Sequence, residues 1–216
     1  MIRRFVILYV LGSLLLVGRT GVAESDSADL VIYGGTAGGI VSAVSAALEG
    51  ATVIIIEPTE HVGGMVTGGL GRTDIGVWET IGGMSAEFYQ RVGEHYRDPA
   101  AWKYENREDF LADDWIRERM PGPEWWYHEP SVASKLFGEM LAEVNLEVLT
   151  SHRLQSVEMK DQRIVSLTCE NGDRFFGKIF IDATYEGDLL AMAGVSYRVG
   201  RESTDEYGEK YAGVLP

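Results

Sequence analysis

The spacing of apolar residues predicts a parallel β-sheet near the start of the chain. Residues 29–33 and 51–57 are short apolar runs that are typical of buried strands. Residues 37–49 between them follow a helical pattern rich in small residues, which ends at Gly50. A strand, a helix and a second strand in such close succession form a βαβ unit. This unit implies parallel strands covered by helices.

Regular patterns return in the second half of the chain. Ser131 follows a proline and can cap a helix whose apolar residues recur on one face up to residue 144. Residues 146–150 predict a third parallel strand. Residues 154–180 contain three alternating runs, the last two joined by an Asn-Gly turn, and so predict a three-stranded β-meander. Residues 179–185 complete the pattern with a buried strand that ends in a small-residue turn.

The stretch between these regular parts, residues 82–130, is less regular and rich in aromatic and acidic residues. The tryptophans within it are Trp102, Trp115, Trp125 and Trp126. Two interpretations stay open: the tryptophans pack a small subdomain, or some of them line a pocket. The predicted organisation is therefore residues 24–81 as the βαβ unit with its glycine loops, residues 82–130 as an aromatic insertion, and residues 131–216 as the continued sheet.

The first residues have the features of an export signal. Two arginines precede an uncharged run at residues 5–18, and Gly21-Val22-Ala23 offers small residues for a signal peptidase. A membrane anchor is the alternative, but residues 5–18 would span about 21 Å as a helix, and a bilayer core is about 30 Å thick. We therefore expect residues 1–23 to be a cleaved signal peptide. The mature protein would be periplasmic or extracellular, with no stable membrane insertion.

Composition excludes several classes of function. The 216 residues carry 19 Lys and Arg against 33 Asp and Glu, a net charge of −14, which disfavours nucleic-acid binding. The single cysteine, Cys169, rules out a disulfide framework or a cysteine-ligated metal within the chain, and its place in the meander suggests a core residue. The histidines have no metal-binding spacing, so no metal site is expected. The 26 glycines direct attention to nucleotide binding.

The turn after the first predicted strand resembles a dinucleotide fingerprint. It reads Tyr33-Gly34-Gly35-Thr36-Ala37-Gly38-Gly39, and we interpret Gly35 and Gly38 as the second and third fingerprint glycines, with Tyr33 in the first place. Glu57 ends the second strand, where a carboxylate can bind a ribose hydroxyl. A purely structural tight turn is the alternative. The predicted cofactor contacts here are Gly34, Gly35, Thr36, Ala37, Gly38 and Glu57.

A second glycine loop follows at residues 63–71, with predicted cofactor contacts at Gly63, Gly64, Met65, Gly68 and Gly69. Three stretches then carry a family resemblance: VIYGGTAGGI, HVGGMVTGGLGRTDIG, and DATYEGDLLAMAG with the later GRES and YGE. Through them the chain resembles the exported bacterial FAD-dependent oxidoreductases of the glutathione-reductase-like superfamily, which are distantly similar to the A subunit of heterodisulfide reductase.

This resemblance implies an α/β, Rossmann-like FAD-binding domain with a parallel sheet and a crossover meander. It implies further FAD contacts at Leu154, through its backbone, and at the turn residues Ala183 and Thr184. The expected activity is hydride transfer to FAD from a small organic substrate, with carbohydrates as a candidate class. The chain matches only the N-terminal part of such enzymes, so it would be truncated and its partner would be the missing C-terminal portion.

No single catalytic residue stands out. Tyr185 departs from the Ala-Thr-Gly that such flavoproteins commonly have, and Asp188 either caps the next helix or points at the cofactor. The candidates in the family motifs are Arg72, Asp74, Tyr185, Glu186 and Asp188. Three alternative functions stay open: a carbohydrate lyase, a non-catalytic dinucleotide-binding module and a nicotinamide dehydrogenase.

Overall fold

A six-stranded sheet forms the centre of the computed structural model, which describes residues 26–113, 122 and 125–213. The predicted signal peptide and Trp115 lie outside these residues. The strands are β1 (Asp26–Tyr33), β2 (Val53–Ile56), β3 (Val148–Leu149), β4 (Leu154–Lys160), β5 (Arg163–Cys169) and β6 (Arg174–Asp182). Their order across the sheet is β3-β2-β1-β6-β5-β4. The predicted α/β class and parallel sheet are confirmed.

The register brings the ends of the parallel strands to one edge. β1 runs parallel to β2 and β6, and Tyr33 pairs with both Ile56 and Asp182. β3 pairs in parallel with β2, whereas β4, β5 and β6 form the predicted antiparallel meander. The chain leaves β1 toward β2 on one side and returns as β6 on the other. Ligands of open α/β sheets bind at the carboxyl ends of strands beside such a reversal.

A single strand, β6, takes the place of two predicted strands. Residues 174–180 and 179–185 were expected to form the last meander strand and a separate buried strand. In the structure β6 is continuous, pairing with β5 through its first residues and with β1 along most of its length. The expectation of a buried strand is wrong at Ile179, whose surface is 62% exposed.

Helices cover the sheet. Among the described residues they are α1 (Ala37–Leu48), α2 (Gly83–Arg97), α3 (Arg107–Ala112), α4 (Pro130–Glu143), α5 (Asp188–Met192) and α6 (Thr204–Tyr207), with short 3₁₀ helices at Gly64–Val66, Trp78–Thr80 and Pro99–Ala101. None of the helices in this part of the chain is long and apolar enough to cross a membrane. α1 agrees with its predicted range to within one residue.

Two details of the helices differ from expectation. α4 begins at Pro130 with Glu129 in the N-cap position, so Ser131 is not the cap; proline suits the first helical turn because its missing N–H has no partner there anyway. The second difference is α2, a helix of 15 residues inside the insertion that was expected to be less regular. Its buried Phe88, Val92 and Tyr96 recur every four residues, a helical signal that the sequence does contain.

The core has two parts, one on each face of the sheet. Leu30 and Ile32 of β1 pack with α1, α2 and α4, whereas Val31 and Tyr33 face the meander. This alternation follows from the two-residue period of a strand. It places Tyr33 in the meander core, where its hydroxyl accepts a hydrogen bond from the Leu154 N–H at 3.1 Å.

Cys169 lies fully buried in the meander core, with 0% of its surface exposed. Burial, with a smaller effect of the nearby Asp173 and Glu170 charges, raises the pKa of the Cys169 thiol to about 11. We predict that the native protein reacts with thiol reagents at pH 8 roughly a hundredfold more slowly than the urea-unfolded chain, because the thiolate is the reactive form. Mass spectrometry of quenched time points measures both rates.

Ser156→Cys is the matched control for this prediction, since Ser156 is exposed on the neighbouring strand β4. This variant should label one site rapidly and leave Cys169 unmodified. Rapid modification of Cys169 in the folded wild-type protein would contradict its assignment as a core residue.

Candidate cofactor site

A cavity of about 360 Å³ lies at the carboxyl ends of β1, β2 and β6. Nine of the predicted site residues line it: Gly34, Thr36, Glu57, Gly64, Met65, Gly68, Thr184, Tyr185 and Glu186. Four residues that the sequence analysis did not select complete its wall: Pro58, Thr59, His61 and Leu70. The structure therefore brings together residues that are up to 152 positions apart in the sequence, Gly34 and Glu186.

The remaining predicted residues do not line this cavity. They are Gly35, Ala37, Gly38, Gly63, Gly69, Leu154 and Ala183 among the cofactor contacts, and Arg72, Asp74 and Asp188 among the catalytic candidates. Leu154 is buried, and its N–H is already bonded to the Tyr33 hydroxyl. Its amide group is therefore not free for the predicted backbone contact with FAD.

The contacts of the glycines correct the predicted fingerprint register. Gly34 has a φ of +110°, and a Cβ there would lie 2.7 Å from the Ala183 carbonyl carbon. A Cβ on Gly39 would collide with the Gly34 carbonyl oxygen, whereas one on Gly38 would meet only Thr36 Oγ1, at 3.7 Å. Gly34 is thus the tight-turn glycine and Gly39 the helix-packing glycine. The first fingerprint place, which the sequence analysis assigned to Tyr33, is therefore filled by Gly34. The place without a glycine is the second one, at Thr36.

Thr36 joins this turn to the end of β6. Its hydroxyl donates to the Ala183 carbonyl at 2.7 Å and accepts from the Gly39 N–H at 3.3 Å, which caps α1. Gly38, in the first turn of α1, is exposed. The start of a helix offers N–H groups and a positive dipole to an anion. With no side chain at Gly38, this arrangement fits a pyrophosphate group.

Gly35 has a different role from the predicted one. Its N–H donates to Glu57 Oε2 at 2.7 Å, and a Cβ there would lie 3.1 Å from Val148 Cγ1 and 3.2 Å from Glu57 Cβ. A side chain at position 35 would press on the acid and on β3. The fingerprint predicts that Gly35 leaves room for a pyrophosphate; in the structure Gly35 instead positions Glu57.

Glu57 is held by hydrogen bonds at the end of β2. Its Oε1 accepts from the Thr59 N–H at 2.9 Å and from the Thr59 hydroxyl at 2.7 Å, while Oε2 accepts from Gly35. Only 6% of Glu57 is exposed, and these bonds compensate for its burial. A carboxylate oxygen can accept two hydrogen bonds, so Oε2 can still receive a ribose hydroxyl.

The second glycine loop reaches the cavity through a left-handed bend. Gly63 and Gly64 have φ values of +100° and +58°, and the Gly63 N–H donates to the Gly35 carbonyl at 2.7 Å. Thr67 fastens the loop, because its hydroxyl donates to the Val62 carbonyl at 2.6 Å and lies 3.0 Å from His61 Nε2. The two glycine loops, distant in sequence, are thus directly bonded to each other.

Tyr185 closes the cavity on the side of β6. Its hydroxyl accepts from the Met65 N–H at 2.9 Å, and a Cβ on Gly64 would collide with the same hydroxyl. Asp182 shapes the turn that carries Tyr185: its Oδ1 accepts from both the N–H and the hydroxyl of Thr184, and its Oδ2 accepts from the Leu190 N–H at 2.8 Å.

This last bond corrects the expectation for Asp188. α5 begins at Asp188 itself, with Gly187 in the N-cap position and no side-chain cap from that residue. Asp182 supplies the capping carboxylate, and Asp188 is exposed outside the cavity.

Arg72 and Asp74 also lie outside the cofactor cavity, with side chains 50% and 96% exposed. Of the five catalytic candidates, the structure places only Tyr185 and Glu186 at the cavity. Among the described residues, no cluster of His, Cys, Asp or Glu could hold a metal ion.

The βαβ unit, the glycine turn and the buried acid together define a dinucleotide-binding domain. The sequence profile of the FAD dependent oxidoreductase family matches residues 29–215, so the chain belongs to that family. Its cofactor is therefore FAD. The groups described above fit the nucleotide part of FAD: an acceptor for the ribose and a helix start for the pyrophosphate. No curated protein matches the sequence significantly.

One solved structure with a TM-score above 0.5 shares the fold. L-proline dehydrogenase from P. horikoshii matches with a TM-score of 0.52 at 16% identity, over 83% of this chain and 59% of that chain. L-amino acid deaminase from Proteus vulgaris matches with a TM-score of 0.46 at 17% identity, over 74% of this chain and 48% of that one. The chain thus spans about three fifths of the length of the dehydrogenase.

The corrected register yields a paired test. We predict that Gly39→Ala lowers the free energy of unfolding by about 3 kcal/mol or more, because the new Cβ collides with backbone that has no room to move. The matched Gly38→Ala should change it by less than about 1 kcal/mol, since the space around its Cβ is open. Urea unfolding of the apoprotein followed by circular dichroism measures both values. If Gly38→Ala lowered the free energy of unfolding more than Gly39→Ala does, the register predicted from the sequence would be supported instead.

Proposed function

We propose that this chain forms the FAD-binding part of an oxidoreductase that oxidises a small organic substrate of the carbohydrate class. The observation that carries the proposal is the convergence of Glu57, the α1 N-terminus and the second glycine loop on one cavity at the carboxyl ends of the parallel strands. FAD, when bound there, supplies the acceptor for a hydride from a substrate C–H bond. The protein supplies binding, orientation and exclusion of water.

Each part of the site has a separate task in this proposal. Glu57 accepts a hydrogen bond from the ribose, and its fixed position depends on Gly35 and Thr59. The exposed start of α1 at Gly38 faces the pyrophosphate with N–H groups. The acid also disfavours a 2′-phosphate by charge repulsion, which supports a cofactor without that group.

Glu186 is our candidate for accepting a proton from the substrate. It lines the cavity beside Tyr185, whose hydroxyl already holds the Met65 N–H. A carboxylate at this position can receive a hydroxyl proton as the neighbouring C–H bond gives up its hydride. Tyr185, in the same proposal, holds the second glycine loop in place and takes no part in proton transfer.

The complete enzyme, in our proposal, includes a further C-terminal portion beyond the part that binds the nucleotide. The chain spans 59% of the matched dehydrogenase. Large apolar side chains are also strongly exposed near the end of the described residues: Tyr197, Val199, Tyr207 and Tyr211 are 61–89% exposed. A concentration of exposed apolar surface is typical of a region covered by other protein.

We also propose that the protein is exported to the periplasm or beyond the cell. This proposal rests on the pattern of residues 1–23. Amino-terminal sequencing of the protein purified from its own host tests it, and a sequence that starts near residue 24 is the expected result. Recovery of the intact Met1 in the cytoplasmic fraction would contradict it.

The activity is tested by anaerobic titration of the FAD-loaded protein with sugars while its visible spectrum is recorded. Bleaching of the flavin absorption by a sugar is the expected result. Cleavage of the sugar without bleaching would identify a lyase instead. Stable FAD binding with neither bleaching nor product, in protein that contains the proposed C-terminal portion, would identify a non-catalytic binding module.

The role of Glu57 gives a quantitative prediction. Glu57→Ala should weaken FAD binding roughly ten- to hundredfold, because a hydrogen bond to a charged acceptor contributes about 1.5–3 kcal/mol. Titration of apoprotein with FAD, followed by flavin fluorescence, measures the dissociation constant. Glu60→Ala is the matched control, because it removes an exposed acid nearby that does not line the cavity. Equal affinities for the wild type and the folded Glu57→Ala variant would contradict the assigned role.

A further inference from the structure

A second cavity, of about 330 Å³, lies between the aromatic insertion and Gly71, and we call it the aromatic cavity. Its walls include the rings of Tyr96, Trp102, Tyr104, Phe110, Tyr127 and His128. Several rings support one another, since Phe110 lies 5.3 Å from Trp102 and 5.6 Å from Tyr127 between ring centroids. The volume is within the range of small-molecule sites and suits a single ring. It shares no lining residue with the cofactor cavity.

Two buried polar atoms beside this cavity have no hydrogen-bond partner: His128 Nδ1 and the Tyr127 hydroxyl. His128 is 93% buried, since only 7% of its surface is exposed. Its other ring nitrogen lies 3.3 Å from the Val66 carbonyl, which can only accept a hydrogen bond. The proton therefore belongs on Nε2, and Nδ1 is an unused acceptor. Native proteins rarely leave such atoms unpaired, so they indicate a missing partner.

The chemistry of the wall selects the kind of ligand. Burial lowers the pKa of His128, so its ring is neutral at neutral pH. A neutral acceptor and a hydroxyl group between aromatic faces suit a neutral ring with hydroxyl groups. The charged residues of the wall, Lys103, Glu105 and Glu129, are all exposed, and the two carboxylates outnumber the single cation.

The cavity is connected to the cofactor site through the backbone. The His128 N–H donates to the Gly71 carbonyl at 2.8 Å, and the Thr73 N–H donates to the Trp126 carbonyl at 2.9 Å. His128 Nε2 also reaches Val66 in the second glycine loop. The loop thus contributes to the cofactor cavity through Gly64, Met65, Gly68 and Leu70 and contacts a wall residue of the aromatic cavity through Val66.

We propose that the aromatic cavity binds a neutral sugar ring of the substrate, whose hydroxyl groups form hydrogen bonds with His128 Nδ1 and the Tyr127 hydroxyl while its apolar face packs on the aromatic side chains. This assignment rests on the proposed function, because it names where the carbohydrate is held. The polar atoms specify hydroxyl groups, and the ring faces supply contact area.

The test is isothermal titration of the FAD-loaded full chain with D-glucose, D-galactose and D-mannose, with tetramethylammonium as a cationic probe. At least one sugar should bind saturably. Tyr127→Phe keeps the ring and removes the hydroxyl, and it should weaken that sugar about three- to tenfold. Tyr197→Phe, at an exposed position outside the cavity, should leave the affinity unchanged.

Deoxy analogues of the bound sugar test the same hydrogen bonds without a mutation. One of them should bind about three- to tenfold more weakly than its parent sugar and lose no further affinity in Tyr127→Phe. Absence of saturable sugar binding, binding of tetramethylammonium alone, or equal affinity of every deoxy analogue would overturn the proposal.

These outcomes are separable from those of the proposed function. A sugar that binds with the expected pattern and does not bleach the flavin supports this site and contradicts oxidation of that sugar. In the other case, a sugar bleaches the flavin and Tyr127→Phe leaves its half-saturating concentration unchanged. This result contradicts the site and supports the activity.

Discussion

The close approach of two turns is the constraint on which the rest of the structure depends. The turn after β1 touches the turn after β6 so closely that Gly34 has no room for a side chain, and Gly39 packs directly against the Gly34 carbonyl. Thr36 bonds to Ala183 across the contact, and the Ala183 N–H donates to the Tyr33 carbonyl at 2.8 Å. Because these contacts fix the start of α1 against two parallel strands, they also fix where a bound anion can lie.

The cofactor cavity follows from this contact by a chain of hydrogen bonds. Gly35, in the same turn, holds Glu57 through its N–H and the second glycine loop through its carbonyl. Tyr185, carried on the β6 turn, holds the same loop two residues further along, at Met65. The buried acid therefore needs no charged partner, since backbone and hydroxyl donors surround it. A rigid acceptor positioned in this way does not have to reorganise when a ligand arrives.

Much of this architecture could be predicted because its signals are local. The apolar runs, the helix of small residues and the Asn-Gly turn each depend on residues close in sequence, and the family motifs led to the correct cofactor. α2 could also have been predicted from the four-residue spacing of Phe88, Val92 and Tyr96. Prediction was less successful where glycines are adjacent, since a run that contains Gly34, Gly35, Gly38 and Gly39 fits more than one register.

The sequence by itself determined the parallel sheet, the meander and the position of Glu57 at a strand end, because strand and helix periods are properties of neighbouring residues. Only the tertiary structure decided that Gly39 packs the helix, that Asp182 caps α5 and that His128 keeps an unpaired nitrogen beside an aromatic cavity. The physical reason is the same in each case. The direction of a Cβ or a lone pair has consequences only through the atom it meets, and those atoms come from distant parts of the chain.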